Sequence, residues 1–103
     1  MEQREYVRRV LEAYCATPGT VGLVRRADRI FAIRLHDRGV PLSAVENAMI
    51  LAAARRSARP ADAPPLGTIR SLAYFAPVIE EVQQLKVGPE YFRHLRNKLT
   101  PVR

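Results

Sequence analysis

The residues best suited to chemistry in this chain are its arginines, which supply fifteen of its seventeen basic side chains. Eight of the fifteen lie between positions 25 and 59. Over residues 21–60 they face three acidic side chains, so this segment holds +5 of the total formal charge of +7. A guanidinium is planar, permanently charged and able to form two parallel hydrogen bonds with a phosphate or carboxylate. The charge distribution therefore predicts contact with a polyanion.

The candidate contacts to nucleic acid are arginines that flank the strongest helix patterns, together with one aromatic residue. Arg70 and Tyr74 are spaced one helical turn apart, so a base can stack on the ring while the guanidinium holds a phosphate. Burial of Tyr74 in the core is the open alternative, and Phe75 is expected to be buried. The whole candidate set is Arg25, Arg26, Arg29, Arg55, Arg56, Arg59, Arg70 and Tyr74.

Arginine content also has a simpler explanation. A genome rich in G and C favours Arg, Ala and Pro codons, and the chain contains fourteen alanines and eight prolines. Such bias does not explain why the excess charge gathers in one third of the chain while residues 1–20 are neutral. Nucleic acid, DNA more than RNA, is therefore the favoured partner. The alternatives are an adaptor that docks on an acidic protein or self-associates, a solvated basic face, and a dimeric sequence-specific repressor.

Catalytic groups are sparse and scattered. His36, His94 and Cys15 each stand alone, outside any metal-ligand spacing. The adjacent pair Glu80 and Glu81 would point about 100° apart on a helix, so the two carboxylates cannot address one substrate. No glycine-rich phosphate loop is present. The sequence predicts a protein that is not an enzyme, with no catalytic residue, metal site, cofactor or small-molecule substrate.

Length and composition indicate one soluble domain. The chain has 103 residues, 48% of them hydrophobic and 26% charged, which is enough for a single core over residues 1–103. One cysteine cannot form an internal disulfide. No apolar run approaches the about 20 residues of a membrane-spanning helix, and residues 1–5 do not resemble a signal peptide. A cytoplasmic protein without membrane contact is expected.

The hydrophobic periodicity predicts an all-α fold, a compact bundle of four to five helices. Ser43 and Glu46 have the spacing of a capping box, and a turn over residues 39–42 is expected to join two antiparallel helices. Pro77 is expected either to kink a helix or to stand at the first position of a new one. A proline-rich connector spans residues 60–67. The predicted helices are 2–15, 26–38, 44–57, 69–82 and 91–99.

The segment from Phe31 to Ile50 has the outline of a helix-turn-helix. Its fit is poor, because Leu35 would occupy the small-residue position, and Arg34 and Arg38 would occupy buried places. The connecting turn is also longer than the usual three or four residues. The pattern therefore favours an ordinary antiparallel helix pair over a major-groove reader.

The stretch from Gly39-Val40-Pro41-Leu42 to Ile69-Arg70-Ser71-Leu72-Ala73-Tyr74-Phe75 resembles small helical modules of bacterial replication-initiation and primosomal proteins, including the DnaD-type C-terminal domain, and of mobile elements. In the last helix of that family an aromatic residue is followed by an aliphatic residue and a tryptophan. Tyr74 and Val78 match the first two, whereas Val82 stands at the tryptophan position and Pro77 interrupts the helix. The resemblance covers about half the chain, and it implies a helical bundle that contacts single-stranded DNA and partner replication proteins.

Overall fold

The computed structural model describes residues 1–84 and residue 96. Within that part of the chain the regular elements are helical, apart from one isolated backbone bridge, which confirms the predicted all-α class. One cluster of buried side chains draws on every element and forms the core. The elements are α1 (Gln3–Ala16), α2 (Arg26–Asp37), α3 (Leu42–Ser57), a 3₁₀ turn (Leu72–Phe75) and α4 (Ala76–Gln84).

Helix α1 has the amphipathic face that its sequence predicts. Tyr6, Val10, Leu11 and Tyr14 are buried, and they recur at the three- and four-residue spacing of one helical face. The helix ends at Ala16, where the hydroxyl of Thr17 donates a 2.7 Å hydrogen bond to the carbonyl of residue 13. The buried face of α1 packs against both α2 and α3.

Helices α2 and α3 do not pack as the predicted antiparallel pair. They are joined by a short turn in which Gly39 has a φ of 73°, a backbone conformation that favours glycine. Beyond the turn they share almost no contact, since α2 packs on α1 and α3 packs on α4 and α1. That prediction was wrong because adjacency in sequence does not decide which apolar faces meet. The turn is instead held from α4, where Glu80 pairs with Arg38 at 2.6 Å.

The predicted capping box of α3 was also wrong. The helix begins at Leu42, one residue before Ser43, and no side chain caps its first turn. Pro41 is the N-cap residue, and its φ of −60° already suits entry into a helix. The buried face of α3 follows the predicted pattern, with Val45, Ala48 and Met49 among its members.

The segment before α4 is not the continuous helix that the sequence predicts from residue 69. Ile69 is extended, and its N–H donates to the carbonyl of Gly19 at 2.7 Å while its carbonyl accepts from Val21 at 2.9 Å. Because these bonds commit the backbone to the loop between α1 and α2, the helix cannot begin before the 3₁₀ turn. Pro77 is the second residue of α4, one place after the first position that the sequence predicts as one of two alternatives. The predicted helix over 91–99 lies outside the described residues.

Candidate nucleic-acid interface

Four of the predicted contact residues line one groove between the end of α3 and the start of α4. This groove, of about 360 Å³, is called the arginine groove here. Its cationic side is the α3 arginine cluster, defined as Arg55, Arg56 and Arg59. Its remaining surface is aromatic and aliphatic, and is formed by Tyr74, Leu66, Val78 and Ala52. Cations beside an aromatic ring and an apolar floor suit a ligand that is both anionic and flat.

Arg56 is held in the groove by contacts with two other parts of the chain, Gly67 and Tyr74. Its Nη2 donates to the carbonyl of Gly67 at 2.8 Å, and its Nη1 donates to the hydroxyl of Tyr74 at 3.3 Å. The guanidinium carbon lies 5.9 Å from the centre of the Tyr74 ring, within cation–π range. A β-carbon at Gly19 would meet the guanidinium at 3.3 Å, so this glycine makes room for it.

The other two arginines of the cluster have different partners. Arg55 faces the Glu81 carboxylate of α4 with both terminal nitrogens, one of them at 2.9 Å from Oε1. That contact lowers the pKa of Glu81 below its ordinary value. Arg59 donates from Nη2 to the carbonyl of Pro64 at 2.7 Å. A carbonyl acceptor fixes a guanidinium without cancelling its charge, so Arg56 and Arg59 keep theirs while Arg55 is neutralised by its partner.

Tyr74 is 45% exposed, so the alternative that it is buried in the core is wrong. The expected pairing of Tyr74 with Arg70 is also wrong, since Arg70 lies in extended chain before the 3₁₀ turn rather than one helical turn below the ring. Arg56, from a different helix, takes that place. Phe75 is buried, as predicted, and packs edge-on against Tyr74 at 5.2 Å between ring centres.

The remaining arginines of the candidate set lie outside this groove. The α2 arginine cluster, defined as Arg25, Arg26 and Arg29, is exposed at the first turn of α2. Arg70 is exposed on the chain between the two clusters. No hydrogen bond or ion pair engages the side chains of Arg26, Arg29 and Arg70 among residues 1–84 and 96.

One short segment, residues 67–72, connects the two arginine clusters. Its first residue, Gly67, accepts from Arg56, and its last, Leu72, donates its N–H to a side chain in the first turn of α2 at 2.9 Å. Five residue steps of fully extended chain reach at most about 18 Å. The two clusters are therefore anchored within about 18 Å of each other, and Arg70 lies on the connection between them.

The side chain that accepts the hydrogen bond from the N–H of Leu72 is Asp28. The sequence did not indicate its structural importance. It is only 1% exposed. Its Oδ2 accepts from the backbone N–H of Arg25 at 2.8 Å, while Oδ1 accepts from Leu72. The sequence shows only an acidic residue in the first turn of a helix, where it meets the positive end of the dipole. That the same carboxylate also caps the 3₁₀ turn depends on a contact across 44 residues of chain.

Elsewhere in the described part of the chain, groups that could support catalysis stay apart. No cluster of three or more His, Cys, Asp or Glu side chains is placed to hold a metal ion within residues 1–84 and 96. His36 is half-buried, and its Nε2 lies 3.1 Å from the carbonyl of Met1. Over the same residues no helix combines the length and hydropathy needed to cross a bilayer.

Comparisons with known proteins give no relative for this chain. No family model matches it, and neither the curated proteins nor the solved structures include a significant match. The resemblance to DnaD-type domains therefore stays a prediction. In the family the three compared positions share the last helix. Here Tyr74 lies in the 3₁₀ turn, whereas Val78 and Val82 lie in α4, which begins one residue before Pro77.

Proposed function

We propose that the protein is a non-enzymatic nucleic-acid-binding module that holds phosphates along a path from the arginine groove, past Arg70, to the α2 arginine cluster. The observation that supports this most directly is the groove itself. It gathers three arginines and a half-exposed tyrosine, contributed by two helical elements that are separated in sequence by the proline-rich connector. Ordinary helix packing does not require this combination.

The second support is that two arginines of the groove keep a positive charge that a phosphate can contact. Arg56 and Arg59 are bound to neutral carbonyl oxygens, and each guanidinium has five N–H donors, so both keep charge and donors for a ligand. Their side chains are already ordered, which reduces the entropy lost when a phosphate binds. A cluster neutralised throughout by carboxylates would offer neither property.

DNA is the proposed ligand in preference to RNA, and the proposed setting is a cytoplasmic accessory role in replication or in a mobile element. The support for that setting is the resemblance at Tyr74 and Val78. The charge and the groove support only the chemical class of ligand. The rival function is an adaptor for an acidic protein, which would bind its partner equally well after nuclease treatment.

The test is fluorescence anisotropy with labelled single-stranded DNA, duplex DNA and RNA over a range of salt concentrations. We expect log Kd to rise linearly with log salt, with a slope of about 0.7 to 0.9 per phosphate contact. Substituting alanine for Arg56 and Arg59 should lower that slope by about one to two units in total. Absence of association with all three ligands at low salt would refute the proposal.

A matched control separates local contact from overall charge. Arg34 is exposed on α2, lies outside the candidate set and has no ion-pair partner among the described residues. Arg34→Ala removes the same charge as Arg59→Ala at a position away from both clusters. Equal loss of affinity in the two variants would mean that only net charge matters, and the proposed path would then be wrong.

A further inference from the structure

A second groove lies on another part of the surface, between α1 and the first turn of α2, and is called the α1–α2 groove here. Its volume is about 430 Å³. Along α1 it is lined at positions 4, 7, 8, 11 and 12, which form one continuous helical stripe. Eight residue steps at 1.5 Å make the groove about 12 Å long, or a little over two helical turns.

The groove has an apolar floor and a positive rim. Val7 and Val24 are half-buried on its floor, and Leu11 is buried between them at 6% exposure. The rim is Arg4, Arg8 and Glu12 on the side of α1 and Arg29 on the side of α2, so basic side chains outnumber acidic ones there by two. Leu23, next in the chain to Val24, is 61% exposed, so apolar surface continues beyond the groove.

The rim charges are only partly compensated within the molecule. Arg8 donates to Glu5 and Glu12, each at 2.6 Å. Arg4 and Arg29 have no side-chain partner among the residues that the structure describes. Both also stand in the first turn of their helices, where a positive charge meets the positive end of the dipole. A carboxylate of a ligand would pair with these arginines and offset their repulsion by the helix dipole.

We propose that the α1–α2 groove binds an acidic amphipathic helix of another protein, with aliphatic side chains on the floor and carboxylates against Arg4 and Arg29. Two turns of groove match the spacing of anchors at positions i, i+3 and i+4 on such a helix. Charge complementarity selects the acidic partner. The floor is aliphatic and contains no aromatic ring among its described residues, so it suits side chains better than stacked bases.

The chain itself offers no matching occupant. Residues 85–103 carry five basic side chains against one glutamate, so their charge has the same sign as the rim. The acidic pair of α4, Glu80 and Glu81, is engaged by Arg38 and Arg55. A second copy therefore has no uncommitted acidic helix in its described part to place in the groove.

The experiment uses the full chain labelled with ¹⁵N and a synthetic helical peptide that has leucines at i, i+3 and i+4 flanked by glutamates. We expect amide shifts on α1 and the first turn of α2, and no binding of a peptide with lysine in place of glutamate. Arg4→Glu and Arg29→Glu should each weaken binding of the acidic peptide by about threefold or more. Both substitutions place an acidic residue at a helix N-terminus, which favours folding.

Arg4→Glu distinguishes this inference from the proposed function, because Arg4 is not among the nucleic-acid contacts. It should weaken peptide binding while the affinity for DNA stays within about twofold. Shifts that map to the arginine groove, or equal binding of the lysine peptide, would each overturn the inference. The double variant Arg4→Glu, Arg29→Glu reverses the charge of the rim. Binding of the lysine peptide by this variant, and not by the native chain, would support the inference directly.

Discussion

The two arginine clusters have the same composition and opposite electrostatic settings. The α3 cluster lies at the end of its helix, where basic side chains meet the negative end of the helix dipole. The α2 cluster lies at the beginning of its helix, where the same charges are unfavourable by a few tenths of a kcal/mol each. The helix dipole therefore favours arginines at the end of α3 and disfavours them at the beginning of α2.

The clusters also differ in how they are held. At α3, each guanidinium has a partner, and two of those partners are backbone carbonyls. At α2, it is the acidic residue that is buried and bonded, while Arg26 and Arg29 extend into solvent. An arginine count gives the two ends equal weight. The structure indicates a cationic site with bonded side chains at one end and a site of solvent-exposed arginines beside a buried carboxylate at the other.

The largest expected effect comes from Asp28→Ala at the α2 end. The substitution leaves the N–H groups of Arg25 and Leu72 without their charged acceptor. Hydrogen bonds to charged groups contribute about 1.5 to 3 kcal/mol each, so the free energy of unfolding should fall by about 3 to 6 kcal/mol. Urea unfolding followed by circular dichroism measures this. A loss below about 1 kcal/mol would mean that this carboxylate does not organise the α2 end.

The second prediction compares alanine substitutions at two glycines of the loop between α1 and α2, only one of which lies beside Arg56 of the α3 cluster. Gly19 and Gly22 have φ values of 90° and 79°, so alanine at either should cost about 1 to 2 kcal/mol of stability. Only at Gly19 would the new β-carbon approach Arg56, whereas nothing lies within 4 Å at Gly22. Gly19→Ala should therefore weaken DNA binding in the anisotropy assay as well. Equal affinity of the two variants would show that the position of Arg56 is unimportant.

A direct comparison of the clusters is Arg56→Ala against Arg26→Ala. Arg56 loses two hydrogen bonds and its contact with the Tyr74 ring, so its removal should cost about 1 to 2 kcal/mol of stability. Arg26 has no partner among the described residues, and its removal should change stability by less than about 0.5 kcal/mol. Thermal unfolding distinguishes them. Similar melting temperatures of the two variants would mean that the contacts of Arg56 do not stabilise the fold more than the exposed Arg26 does.

The smallest stability effect is expected for Glu81→Gln, which removes the carboxylate that faces Arg55 across the groove. An exposed ion pair contributes little to folding, so urea unfolding at pH 7 should barely distinguish the variant from the native chain. The pKa of Glu81 is lowered in the folded protein by Arg55, so its stabilising contribution is present above its ordinary value of 4.5 and is lost as pH falls. Unfolding curves from pH 7 to 3 should show a larger decline in the native chain than in the variant, which keeps the other paired carboxylates.

The sequence predicted the parts of this protein that depend on local pattern. The buried faces of α1 and α3 follow from helical periodicity, and Phe75 was correctly expected in the core. The errors involve contacts between distant segments. The pairing of Ile69 with Gly19 prevents the predicted helix start, and the meeting of Arg56 with Tyr74 replaces the predicted partner Arg70. No spacing rule reports contacts of this kind.

For the candidate site the division is the same. The charge excess identified which arginines to consider, and four of the eight candidates meet in one groove. Arg55 faces a carboxylate, whereas Arg56 and Arg59 bind backbone carbonyls of the connector. These partners decide which guanidinium groups keep their charge. Backbone carbonyls occur at every residue, so the sequence carries no signal for their use as partners of Arg56 and Arg59.

The bridge between Thr20 and Ile69 has a consequence for measurement. It joins the connection between α1 and α2 to the connection between α3 and the 3₁₀ turn through a pair of backbone hydrogen bonds, so displacement of either connection must strain the other. Amide hydrogens at Val21 and Ile69 are thus built-in reporters. Slower solvent exchange at these two positions on addition of an oligonucleotide would register occupancy of the neighbouring cationic site without any label on the protein.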